Sequence, residues 1–211
     1  PGWTIDNRLM SSRSSEPAYD GVSAMDVESW IAEQGVQIGR GTRAGIRSST
    51  RRNTALVFDA DAWADYSGGE SGGFNSVIIA NIPLTNADLN SLSITFDWEF
   101  ASEDHQTSIV DVSFDRGVTW ERILELDSTS IGNNTVLGGP SMFFAGNHFQ
   151  PTSRNMLLRF STVLAGNNWW FAADNIEVRD RFGSIYSEDF EDLPMQSFTA
   201  ANRNSPSDGT D

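Results

Sequence analysis

The 211-residue sequence contains no cysteine and no lysine. All 14 basic side chains are arginine, and the only histidines are His105 and His148. These absences exclude disulfide frameworks, zinc–cysteine sites, cysteine nucleophiles, Schiff-base lysines and Walker-type phosphate loops. Neither histidine lies near a G-x-S-x-G elbow or an H-E-x-x-H pair, so serine-hydrolase and zincin chemistry lack a sequence basis. Positive charge is scarce as a whole: 29 acidic residues against 14 basic leave a formal charge of -15. Nucleic acid and anionic membrane are therefore excluded as partners, because binding to phosphates needs a basic face. Cations are the natural counterparts. No apolar run approaches the roughly 20 residues of a membrane span.

What is present suits an all-β chain. Aromatics make up 11%, with 7 Trp and 13 Phe, and turn residues are frequent, with 18 Gly and 7 Pro. At this length one domain buries a real core without cross-links. The chain starts at Pro1 without an initiator Met, so it reads as an excerpt or a processed product. Its acidic, lysine-free composition suits an extracellular or cell-surface setting.

Residues 8–24 and 39–53 read as loops, and Asp26–Gln34 as a short helix capped by Asp26. From residue 54 the pattern turns to β. Thr54–Asp59, Phe74–Ala80, Ile109–Phe114, Val118–Leu126, Asn155–Val163 and Trp169–Val178 are expected strands. The clearest is Leu92–Phe100, where Leu92, Ile94, Phe96, Trp98 and Phe100 alternate with Ser93, Thr95, Asp97 and Glu99. Short strands separated by turn signals imply a jelly-roll β-sandwich of roughly eight to twelve strands. Three segments follow: a core over 1–178, a linker over 179–183, and a terminal strand with a polar tail over 184–211. Ile185, Tyr186 and Phe190 give that last strand apolar residues that need a sheet to pack on.

Ser113-x-Asp115-x-Gly117-x-Thr119-Trp120 fits an Asp-box turn, with Arg116 where Gly is commoner. It is read as structural. Asp59, Asp61 and Asp65 are spaced for calcium as much as for a solvated acidic loop, and no EF-hand Gly or Glu follows them. Asp97 and Glu99, followed by Glu103 and Asp104, form an acidic strand face. With Ala101 in the next alternate position, it reads as hydrated or cation-binding rather than catalytic. Trp169 and Trp170 are candidates for an aromatic platform beneath a sugar ring, although one face of that strand must be core. The arginines between Arg40 and Arg52 read as partners for neighbouring carboxylates, in cis or across an assembly contact, with an anionic polysaccharide as the other reading.

Phe74-Asn75-Ser76, the Asp-box segment and the run from Asn167 to Val178 resemble the MAM-like and carbohydrate-binding-like jelly-roll modules of secreted bacterial proteins. In such modules a D-F-E strand precedes a P-G-W segment, whereas here Asp189-Phe190-Glu191 follows everything else and Pro1-Gly2-Trp3 comes first. The resemblance implies a permuted order. It also implies a structural cation held by Asp174, Asp189 and Glu191. Three arrangements follow for the terminal strand: a tandem array, donation to a neighbouring copy, or return to its own sheet. Exchange or array is favoured, because a domain lacking its first strand leaves an open edge. The functional expectation is a non-catalytic extracellular structural or adhesive module, self-assembling through that strand and calcium-stabilised. The alternative is a carbohydrate-binding module of a secreted hydrolase, with polysaccharide as partner.

Overall fold

The computed structural model describes residues 3–6, 22–26, 54–60, 73–103, 105–132, 135–165 and 168–190. Within them lie eleven strands: β1 (Trp3–Asp6), β2 (Val22–Asp26), β3 (Thr54–Asp59), β4 (Phe74–Pro83), β5 (Ser93–Ser102), β6 (Thr107–Ser113), β7 (Glu121–Asp127), β8 (Thr135–Phe144), β9 (Asn155–Ala165), β10 (Trp170–Asp180) and β11 (Gly183–Glu188). One 3-10 turn, Leu89–Ser91, precedes β5, and one helical turn, Ser128–Ile131, follows β7.

Two antiparallel sheets form a sandwich. One runs β1-β4-β9-β6-β7, the other β2-β3-β10-β5-β8, with β11 also paired to β10. The alternation in β5 works as its pattern dictates: Leu92, Ile94, Phe96 and Phe100 are buried between the sheets. They meet Ile78, Ala80 and Ile82 of β4 and Met156, Leu158 and Phe160 of β9 in one core cluster. Phe96 packs edge-on against Phe160 at 5.3 Å, which joins the two sheets through aromatic rings.

The segment 179–183 is no linker. Arg179 and Asp180 end β10, and β11 returns antiparallel along it through a turn whose central residues are Arg181 and Phe182. Tyr186 enters the chain's own core and Ile185 packs against it; Phe190, expected in the same strand, lies two residues beyond its end at a φ of 59° and reaches the core from there. Of the three arrangements, the structure has the return to the chain's own sheet: a two-residue hairpin holds β11 beside β10, and the apolar residues that needed a sheet have one.

The first and last strands also meet. Trp3 lies 5.7 Å from the Phe190 ring and donates its indole N–H to Glu188 Oε2 at 3.2 Å. The Tyr186 hydroxyl donates to the same oxygen at 3.5 Å. Asp26 ends strand β2 rather than lying outside a helix as its cap, and the remainder of the expected helix lies outside the described residues.

Candidate functional site

At one end of the sandwich, the loop leaving β4 and the β10–β11 hairpin border an open cleft of about 340 Å3. Pro83, Leu84, Thr85, Asn86 and Ala87 form one wall, and Asp180 with Phe182–Ile185 the other. Both walls are braced. Arg154 donates through Nη1 to the carbonyl oxygens of Leu84, Thr85 and Ala87 at 3.3, 3.1 and 3.0 Å, gathering the loop around one guanidinium. The backbone N–H of Leu84 adds a bond to the Arg154 carbonyl.

Asp180 ties the opposite wall to this loop. Its Oδ2 accepts the Asp88 N–H at 2.8 Å and its Oδ1 accepts the Phe182 N–H at 2.7 Å. The backbone N–H of Asp88 is the chief reason that the Asp180 carboxyl lies below its ordinary value; the N–H groups of Phe182 and Gly183 and the charge of Arg181 add to it. Arg181 bridges to Asp88 Oδ2 at 3.1 Å and lies over the Phe182 ring at 4.7 Å. The Phe182 ring is left 76% exposed at the mouth of the cleft.

Thr85, Asn86 and Ser184 are exposed around that mouth, while Leu84, Ala87 and Ile185 supply apolar packing beneath. The chemistry is that of a binding surface. It offers hydroxyl and amide groups, one aromatic ring, and a carboxylate already held by backbone donors. No histidine lines it. His148 caps the end of β8 instead, accepting the Phe144 N–H on Nδ1 at 3.0 Å.

The residues singled out from sequence lie elsewhere. Trp169 and Trp170 are 7% and 2% exposed. They contact each other at 5.3 Å and pack with Ala55, Val57, Ala101 and Ala172 on the outer side of the second sheet. Neither presents a ring face to solvent, so the expected platform is replaced by packing. Trp170 Nε1 donates to Glu99 Oε1 at 3.1 Å, and Glu99 is 1% exposed rather than hydrated. The alternation gave Glu99 the outward face correctly, but did not reveal that this face is itself covered.

Asp59 and Asp174 are buried and Asp189 is exposed; Asp61, Asp65 and Glu191 lie outside the described residues. Asp174 faces Asp97 across the β10–β5 ladder. Asn175 at a positive φ of 51° mediates between them: its N–H donates to Asp174 Oδ1 at 2.7 Å and its Nδ2 to Asp97 Oδ2 at 2.9 Å. Among the described residues, no three acidic or histidine side chains converge as a metal-binding group.

The Asp-box turn forms as expected. Asp115 accepts from the Ser113 hydroxyl at 2.8 Å and from the Thr119 N–H and hydroxyl at 2.8 and 2.6 Å. Trp120 Nε1 closes the turn on the Gly117 carbonyl at 3.1 Å. The Arg159 guanidinium stacks 3.8 Å above the Trp120 ring and holds Asp111 through Nη2 at 2.6 Å. Trp120 is thus covered on one face by a structural cation–π contact.

No family model matches the chain, and no curated protein matches it. Several solved structures are similar in fold at low identity. A CBM61 carbohydrate-binding module in complex with β-1,4-galactotriose has a TM-score of 0.45 and 12% identity, covering 85% of this chain and 88% of that one. The K1 cleaved adhesin domain of Lys-gingipain from Porphyromonas gingivalis W83 gives 0.40 and 12%, over 86% of this chain and 99% of that one. A family 11 carbohydrate-binding module from Clostridium thermocellum gives 0.38 and 13%, over 82% and 86%. These are likenesses of β-sandwich form between sequences far apart, and what those proteins bind is a property of those proteins.

Proposed function

We propose that this chain is a non-catalytic extracellular binding module, and that the cleft beside Phe182 takes a neutral oligosaccharide. The observation that carries this reading is the exposed Phe182 ring at the mouth of a braced cleft rimmed by Thr85, Asn86 and Ser184. A sugar has apolar C–H faces that stack on an aromatic ring and hydroxyls that exchange hydrogen bonds with amides and hydroxyls. The volume lies at the small end of the roughly 300–1,000 Å3 typical of ligand sites, which suits a few sugar units rather than a large cofactor. A charge of -15 disfavours anionic glycans. The carboxylates near the cleft are engaged in fixing backbone, which supports binding over acid–base chemistry.

The test is titration calorimetry against neutral oligosaccharides selected on a glycan array. Binding should weaken roughly tenfold or more, about 1.4 kcal/mol, in Phe182→Ala and in Asn86→Ala. Both side chains are exposed, so the fold should survive either change. Absence of any oligosaccharide binding, or binding indifferent to both substitutions, would overturn the proposal.

A further inference from the structure

β8 is an edge strand, and the backbone shows which of its groups face away from the sheet. Phe144 stands opposite Ser93 of β5, yet its N–H donates to His148 Nδ1 and its carbonyl accepts the N–H groups of Asn147 and His148. Its backbone therefore points outward. The ladder has no register shift from Ser93↔Phe144 to Ser102↔Thr135, so outward backbone recurs at every second residue: Met142, Pro140, Gly138 and Val136. Pro140, which has no N–H, falls on an outward position, where a sheet tolerates it. Among the described residues, no strand pairs with this edge.

The side chains agree with the backbone. Met142 is 52% exposed, Phe144 43% and Leu137 38%, three of the large apolar residues left at the surface. No Asp, Glu or Arg occurs anywhere from Ser128 to Ser153, although charged residues make up 20% of the sequence. Edge strands are ordinarily guarded by charge, and this one has only a proline.

We infer that the outer edge of β8 pairs antiparallel with the same edge of a second copy, joining two sandwiches into one continuous sheet. The neutrality of this stretch permits such an occupant, and the symmetry of its pairing pattern selects it. Two chains of -15 repel except where an uncharged surface lets them approach, and β8 supplies such a surface on both. The strand is also self-complementary. A two-fold axis at Gly139 sets Met142 beside the partner's Val136 and Leu137 beside the partner's Ser141. Each Pro140 then lies opposite the partner's Gly138, so the only ladder bonds lost are those that the two prolines cannot donate. An edge contact buries less than the roughly 1,600 Å2 of a standard interface, so the dimer is weak and reversible.

Sedimentation equilibrium of the whole chain tests this between about 10 µM and 1 mM. Wild type should move from one-chain mass toward two-chain mass across that range. Met142→Arg should weaken the dimer roughly tenfold or more, and Pro140→Val, which restores an N–H on each copy, should tighten it severalfold. Raising NaCl from about 50 to 500 mM should also tighten it, because the net repulsion is screened while the contact carries no ion pairs. Val118→Arg, on the exposed Asp-box turn, should leave the affinity unchanged. One-chain mass throughout for both wild type and Pro140→Val would overturn the inference. So would a dimer insensitive to Met142→Arg.

Discussion

Single carboxylates do much of the local structural work in this acidic chain. Asp115 holds the Asp-box turn through Ser113 and Thr119, and Asp180 holds the cleft walls through backbone N–H groups. Hydrogen bonds from the Thr119 hydroxyl, first, and its N–H lower the Asp115 carboxyl from 3.8 to about 2. A folded-state value below the unfolded one means that the stabilisation is fully present above about pH 4 and lost as pH falls through about 2. Asp115→Asn should therefore lower thermal stability at neutral pH and flatten the loss between about pH 4 and pH 2, as read by melting curves across that range. The same turn places Arg116 at φ 64° and Gly117 at φ 87°. A side chain at the first of these stores strain that glycine avoids.

At the scale of elements, β11 is the strand with the most to explain. Phe190 is fully buried and contacts Trp3, so truncation leaves a cavity between the first strand and the last. Phe190→Ala should cost about 3–5 kcal/mol in urea unfolding, with no new oligomer appearing. Appearance of domain-swapped dimers in the intact wild-type chain would instead restore strand exchange. The sequence made this strand visible through Ile185, Tyr186 and Phe190 but not its destination, because pairing in cis depends on a two-residue turn at Arg181–Phe182 that carries neither Asn-Gly nor Asp-Gly. β5 was legible in its inner face, where Ile94, Phe96 and Phe100 are buried as the alternation dictates, but not in its outer one, where Glu99 and Ala101 are buried as well. β8 was not, because Gly138-Gly139-Pro140 reads as a turn and only an edge position accommodates it as strand. The cleft escaped notice for a different reason. Its walls come from segments around residues 85 and 182, and nothing local in either one signals the other.

Across the whole molecule, unbalanced charge opposes folding more broadly than any single contact does. A net -15 penalises the compact state through self-repulsion. The melting temperature should rise as NaCl is increased from about 20 to 500 mM, since the Debye length then falls below the spacing of most surface charges. Calcium chloride at matched ionic strength separates screening from site binding. An additional rise would support calcium binding, whereas equal melting temperatures would leave screening alone. Absence of any salt effect would mean that the excess acidic groups lie too far apart in solvent to penalise the fold.

The meeting of Trp3 with Glu188 and Phe190 has a mechanical consequence. The described chain enters and leaves the sandwich at adjacent points, so tension applied through both ends acts across this one contact rather than along the strands. Such loading peels β1 from β4 and β11 from β10 a bond at a time, and does not shear whole ladders at once. Under pulling force the module would open from this seam first, while β5, β6, β9 and the cleft-bracing Arg154 stayed folded behind it.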